Sequence, residues 1–107
     1  MNAVKADVEK LVKKELESAN KQFPLFASNH EGYAVIKEEV EECESEYKNI
    51  EYVLDDLWYR IKANDNFETM EYLVKQIKKS AINLAIEAIQ AAAMCDKFIM
   101  SQKKREN

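Results

Sequence analysis

Residues 28–46 read SNHEGYAVIKEEVEECESE, and the rest of the chain is organised around this stretch. Ser28 is followed three residues later by Glu31, the spacing of a capping box, in which hydroxyl and carboxylate each take up an otherwise unpaired backbone N–H. The spacing predicts that a helix begins here. Inside it, Glu38, Glu39 and Glu42 form an EExxE motif, and residues three apart on a helix project from neighbouring positions on one face. Glu39 and Glu42 are thereby placed to share one cation. Like charges held this close repel, so the cluster calls either for a hard cation with oxygen ligands or for plain exposure to water.

Composition sets the class around that stretch. One Gly and one Pro in 107 residues are too few for a turn-rich β-protein and suit long uninterrupted helices, so the fold class is all-α. A single domain over 1–107 is expected at this length, with a modest core. Twenty acidic residues against sixteen basic ones give a net charge of -4, which argues against a general binder of phosphate backbone; nucleic acid is not an expected partner. No apolar run approaches the roughly 20 residues that span a bilayer, and MNAVKADVEK lacks the apolar core of a signal peptide. A membrane is therefore not expected either, and the expected location is cytoplasmic. Cys43 and Cys95 fall on apolar helical positions without a zinc-like spacing to histidine, and read as small reduced core residues.

The periodicity predicts three helices. In the first, over 3–22, Val4, Val8, Leu11, Val12, Leu16 and Ala19 recur at intervals of three and four, the mark of an amphipathic helix. Pro24 breaks the pattern, and Phe23, Leu25 and Phe26 cluster at the break to cover one end of the core. The second helix, over 31–63, carries a seam of Tyr33, Ile36, Val40, Cys43, Tyr47, Ile50, Leu54, Leu57 and Ile61, alternating spacings of three and four. Beside it runs a flanking row of Val35, Glu39, Glu42, Glu46, Asn49, Val53 and Asp56. Asn64, Asp65 and Asn66 favour chain reversal. The third helix, over 68–100, repeats the pattern with Met70, Val74, Ile77, Ala81, Leu84, Ala88, Ala91, Cys95 and Phe98. Two long helices joined by a short turn pack antiparallel. The polar tail SQKKREN is expected to fray.

If the reversal centres near residue 65, positions whose numbers total about 131 lie level. Glu39 and Glu42 then stand within about half a turn of Glu87 and Gln90, which lie on the third helix's own flanking row of Ser80, Asn83, Glu87, Gln90 and Met94. Four oxygen-bearing side chains converge on this reading. Ala85, Ala88, Ala91, Ala92 and Ala93 leave room nearby for a ligand or for a close helix approach.

HEGYAVIKEEVEE, with EExxE on one helix and a second acidic position on an antiparallel neighbour, resembles the MazG-type all-α nucleotide pyrophosphohydrolases, especially small phage and bacterial members. The likeness runs from Phe23 to about Ile99, with INLAIEAIQAAAMCDKF as its second block. It implies an EExxE motif and a downstream ExxD motif that bind magnesium, or manganese, and cleavage of a nucleoside triphosphate to a monophosphate and pyrophosphate. Glu38, Glu39 and Glu42 match the first motif and Glu87 the first residue of the second. The chain departs from the pattern in placing the neutral Gln90 where the family has an aspartate, and in a longer interval between the motifs. Asp55 and Asp56, ahead of Leu57-Trp58-Tyr59, imitate the second motif, but they lie on the same helix as EExxE, about 20 Å along its axis, and stand opposite Lys75, Lys78 and Lys79 as salt-bridge partners.

The resemblance implies Glu39, Glu42 and Glu87 as metal ligands, Gln90 as a weaker ligand or a donor to a ligand water, and Glu38 as ligand or catalytic base. Lys37, Lys48 and Asn83 are candidate substrate contacts on position. Asp96 is a remoter source of the missing charge. His30 reads as a capping-region residue, and Tyr47, Tyr52, Trp58, Tyr59 and Tyr72 as packing or interface groups. The two seams and flanking rows exceed what one hairpin and a short helix cover, so self-association as a dimer or tetramer completing four-helix bundles is expected. The rival reading is a non-catalytic helical interaction protein, phage-like, with a degenerate metal site.

Overall fold

The computed structural model describes residues 2–106. A 3-10 segment, Asn2–Val4, leads into α1 (Lys5–Gln22), followed by α2 (Asn29–Lys62) and α3 (Phe67–Glu106), with no strand among the described residues. The all-α class expected from the scarcity of Gly and Pro is what forms. Among the described residues no helix is long and apolar enough to cross a membrane. The described residues fall into two compact units: one comprises those up to Glu41 and those from Glu87 onward, the other Glu42–Ile86. Both α2 and α3 run from one unit into the other.

The first unit is built on the break between α1 and α2. Pro24 disfavours helix in the residue before it, and Phe23 accordingly turns extended, with φ -135 and ψ 146. After the break, the Glu31 N–H donates to Ser28 Oγ at 3.1 Å, which is the hydroxyl half of the capping box. Between these points Phe26 drops into the core with Ala93 and Met94. Val12, Leu16 and Ala19 of α1, Val35 and Ile36 of α2 and Phe98 of α3 pack around them. Phe23 stays exposed and Leu25 half-buried, so of the three apolar residues at the break Phe26 is the anchor. Gly32 faces Phe98 so closely that a Cβ there would lie 2.5 Å from a ring carbon. The one glycine of the chain thus sits where the α2 backbone meets the Phe98 ring.

The tail does not fray. It is helical to Glu106, because its polar groups satisfy the backbone of the α1–α2 linker. Ser101, only 1% exposed, accepts from the Phe26 N–H at 2.9 Å and donates to the Lys97 carbonyl at 2.7 Å. Arg105 donates to the Phe26 carbonyl at 2.8 Å and to Asn29 Oδ1.

The second unit is a helical hairpin closed by the three short polar residues at 64–66. Asn64 takes a left-handed φ of 53, its N–H bonds to the Ile61 carbonyl, and the Asp65 N–H reaches back to the Arg60 carbonyl. This is the Schellman closure, with asparagine in the place glycine usually takes. Asn66 Oδ1 then accepts from the Thr69 N–H at 2.8 Å and caps α3. Higher in the hairpin, Asn49 Nδ2 donates to the buried Ser80 Oγ at 2.7 Å. The pairs 49/80 in this unit and 32/98 in the other fall within two of the expected total of 131.

Two expectations need correction. Only one of the seam's two lines is buried: Tyr33, Val40, Tyr47, Leu54 and Ile61 of α2 are exposed, as are Val74, Ala81, Ala88 and Cys95 of α3, while Met70, Ile77, Leu84, Ala91 and Phe98 of α3 are half-buried. Burial follows Ile36, Cys43, Ile50 and Leu57 together with Glu39, Glu46 and Val53, and on α3 Leu73, Ser80, Glu87 and Met94. Each helix carries two apolar rows and one mixed row, and the mixed row turns inward because its polar members find partners there, as Asn49 and Ser80 do. Cys95 is therefore an exposed thiol and Cys43 a half-buried one. The second correction concerns Asp56, which pairs with Arg60 at 3.4 Å, while Lys75 pairs with Glu71 at 2.9 Å. An (i, i+4) neighbour on the same helix is nearer than a lysine across the hairpin.

Candidate functional site

The inward turn of the mixed rows is what assembles the carboxylates. Glu39 on α2 and Glu87 on α3 are half-buried, and each offers a carboxylate oxygen within 4.8 Å of the other's. One oxygen of each, Oε2, lies out of contact with solvent. Two full negative charges at this range repel by roughly 1 kcal/mol in water and several-fold more as the surroundings lose polarity. A divalent cation between them turns repulsion into attraction, and an all-carboxylate donor set suits a hard ion such as magnesium or manganese over zinc. Glu42, exposed, follows Glu39 by three residues on the same helix, which puts the two on neighbouring positions of one helical face.

Beside Glu39 opens a cavity of about 460 Å³ within the first unit, with Gln90 in its wall. Its volume lies within the range of small-molecule sites. Ala19, Phe23, Phe26, Val35 and Met94 make it largely apolar, and Glu15, Glu31 and Lys97 complete its polar lining. Of the two readings of the alanine run, room for a ligand or a close helix approach, Ala93 takes the second, being fully buried, while Met94 bounds the cavity. Small residues here let elements close up, and the space lies where the α1–α2 linker spans the gap.

Of the remaining expected site residues, Glu38 is exposed and lies outside the cavity lining. Lys37 pairs with Glu41 and Lys48 with Glu44, both at 2.8 Å on exposed helix faces. Those hydrogen bonds, reinforced by the opposite charge, raise both lysines above their ordinary pKa and lower that of Glu44. Such surface pairs contribute little stability. Asn83 is half-buried on the part of α3 in the second unit, and Asp96 and His30 are exposed.

Sequence reasoning passed over Lys97. It is 2% exposed, its ammonium lies 5.2 Å from the centre of the Phe26 ring, and among the described residues Nζ makes no hydrogen bond or ion pair. Burial pushes its pKa below the ordinary 10.5, with the charge of Glu31 opposing the shift. The signal was present in the spacing, since the row Asn83, Glu87, Gln90, Met94 continues with the same rhythm to Lys97 and Ser101. The chain matches none of the family models, curated proteins or solved structures with which it was compared.

Proposed function

We propose that the chain is a magnesium-dependent nucleotide pyrophosphohydrolase of the MazG type, which cleaves a ribo- or deoxyribonucleoside triphosphate to monophosphate and pyrophosphate. The observation that carries this reading is the pairing of Glu39 with Glu87 within 4.8 Å, at the edge of a cavity that Glu39 shares with Gln90. A triphosphate is polyanionic, and carboxylates hold it only through divalent cations, which neutralise the phosphates and lower the pKa of a bound water. Glu39, Glu42 and Glu87 are the ligands in this proposal, manganese serving in place of magnesium. Gln90 is a neutral ligand or a donor to a ligand water, and Glu38 is the base. Lys37, Lys48 and Asn83 stay substrate contacts on position alone, the two lysines needing to leave their carboxylate partners first.

Self-association belongs to the same proposal, as a dimer or tetramer. A folded monomer of 12.5 kDa is expected to expose about 6,200 Å², whereas this chain exposes 8209 Å². The excess, on the order of 2,000 Å², is of the size that permanent homodimers bury. The exposed Tyr33, Val40, Tyr47, Leu54 and Ile61 recur every seven residues along α2, as residues covered by a partner helix do. A second copy is the occupant this row fits.

The second reading, a non-catalytic helical interaction protein with a degenerate metal site, is favoured by one observation, the amide of Gln90 in place of a carboxylate. Cation binding separates the two. A ligand that binds the folded state alone stabilises it by about 2.7 kcal/mol at a hundred times its Kd. The enzyme reading expects magnesium or manganese to raise the melting temperature and Glu39→Gln to abolish the rise. The absence of any metal effect in the wild type favours the interaction protein.

A further inference from the structure

The polar groups of the cavity are not spread evenly. Gln90 and Glu39 lie at one end, and Lys97 is two turns farther along α3, about 10 Å by helix rise. Glu31 shares the lining with Lys97 and is near enough for its charge to act on the lysine, yet the two form no ion pair. An ammonium only donates hydrogen bonds and a carboxylate only accepts them. Lining one cavity, they offer it a donor and an acceptor. Lys97 is 2% exposed and lines the cavity, and its ammonium, 5.2 Å from the centre of the Phe26 ring, makes no hydrogen bond among the described residues, so it has donors to offer a ligand. Between the two ends the walls are Phe23, Phe26, Val35 and Met94, a surface for a flat apolar body.

We propose that Lys97 and Glu31 read the keto edge of a nucleobase seated in this cavity, so that uracil, thymine and guanine nucleotides are preferred to cytosine and adenine nucleotides. The inference rests on the pyrophosphohydrolase reading for the phosphate end of the ligand. Uracil and thymine carry a carbonyl next to a ring N–H, and guanine does the same with O6 and N1. The carbonyl takes the lysine's hydrogen bond and the N–H gives one to the carboxylate. Cytosine and adenine reverse both groups, aiming an amino group at an ammonium and a lone pair at a carboxylate. A nucleoside spans the two turns that separate the base-reading pair from Gln90, which leaves its phosphates at the Glu39 end.

The test compares dUTP with dCTP in magnesium-dependent pyrophosphate release and, separately, dUMP with dCMP in calorimetric binding, on the full chain. A matched pair of hydrogen bonds discriminates by about ten- to a hundred-fold, and that preference for uracil is expected in both measurements. Lys97→Met is expected to erase it by weakening the uracil nucleotides, and Lys97→Arg, which keeps a donor, to retain part of it. Glu31→Gln, a change at an exposed position, erases the preference without disturbing the core and serves if Lys97→Met fails to fold. Equal handling of the two bases by the wild type overturns the proposal, as does a preference that survives both Lys97→Met and Glu31→Gln. Binding of neither monophosphate also overturns it, even if pyrophosphate is released. If no triphosphate is cleaved but dUMP binds more tightly than dCMP and Lys97→Met removes the difference, the hydrolytic reading fails and the base-reading one stands.

Discussion

Lys97 departs from what stability alone would select. A buried lysine without an ion-pair partner carries a desolvation cost, offset in part by the Phe26 ring, since a desolvated cation–π contact contributes about 2 kcal/mol or somewhat more. Methionine has nearly the same length and adds a sulfur–aromatic contact in place of the charge. Lys97→Met is therefore expected to stabilise the fold at neutral pH by roughly 1 kcal/mol, about 4–8 °C in a domain of this size. The direction with pH follows from the lowered pKa. Between the folded-state pKa and the ordinary 10.5 the unfolded chain binds more protons than the folded one, so wild-type stability rises with pH across that window. The advantage of the methionine variant should accordingly shrink as the pH rises towards 10.5, which paired thermal melts at neutral and alkaline pH will read. A wild type more stable than Lys97→Met at neutral pH would mean that the lysine is held by something stronger than a ring face. In sequence Lys97 continues the row of Asn83, Glu87, Gln90 and Met94, but spacing does not say which row is covered. Only the position of Phe26, brought over it by the linker, makes it a buried group.

At the scale of elements, the three helices were legible because their signals are local. Pro24 ends α1, Ser28 and Glu31 open α2, and Asn64 and Asn66 turn the chain into α3, each acting through its own backbone neighbourhood. The end of α3 was not legible, because what holds SQKKRE helical is 75 residues away in sequence: Ser101 bonds to Phe26. A composition-based expectation of fraying has no access to such a partner. Removing the hydroxyl tests the attribution. Ser101→Ala leaves the buried Phe26 N–H without an acceptor, which costs about 1–3 kcal/mol. A fall of that size in the denaturant midpoint is expected, with faster amide exchange in the last turns of α3. An unchanged midpoint would place the tail's order elsewhere. The rotation of α2 and α3 towards their mixed rows was hidden for a related reason. Periodicity identifies rows at a spacing, but which two of three rows turn inward depends on partners such as Ser80 for Asn49.

For the molecule as a whole, hairpin register set Glu42 and Glu39 near the levels of Glu87 and Gln90, whereas the close carboxylate pair is Glu39 with Glu87; the antiparallel arithmetic itself is met by the pairs 49/80 and 32/98 within their own units. The alanines left two readings open, room for a ligand or a close helix approach; Ala93 is fully buried, and the cavity is walled by Gln90 and Met94 on either side of the run and by Phe23, Pro24 and Phe26 of the linker. The proposed assembly has its own test. Charges on the heptad row, Tyr47→Glu with Leu54→Glu, are expected to lower the sedimenting mass to that of one chain and to reduce the melting temperature. If the wild type already sediments as one chain, the exposed row has another occupant.

Whether the carboxylates do chemistry is decided by one assay. Pyrophosphate release is followed from ribo- and deoxyribonucleoside triphosphates with magnesium and then manganese, for the wild type and for Glu42→Gln, at concentrations where the assembly is intact. The account predicts metal-dependent release of pyrophosphate and monophosphate by the wild type, lowered by about a hundred-fold or more in the variant, as when one charge-stabilising group is removed. No release from any nucleotide, or release that Glu42→Gln leaves unchanged, would contradict it.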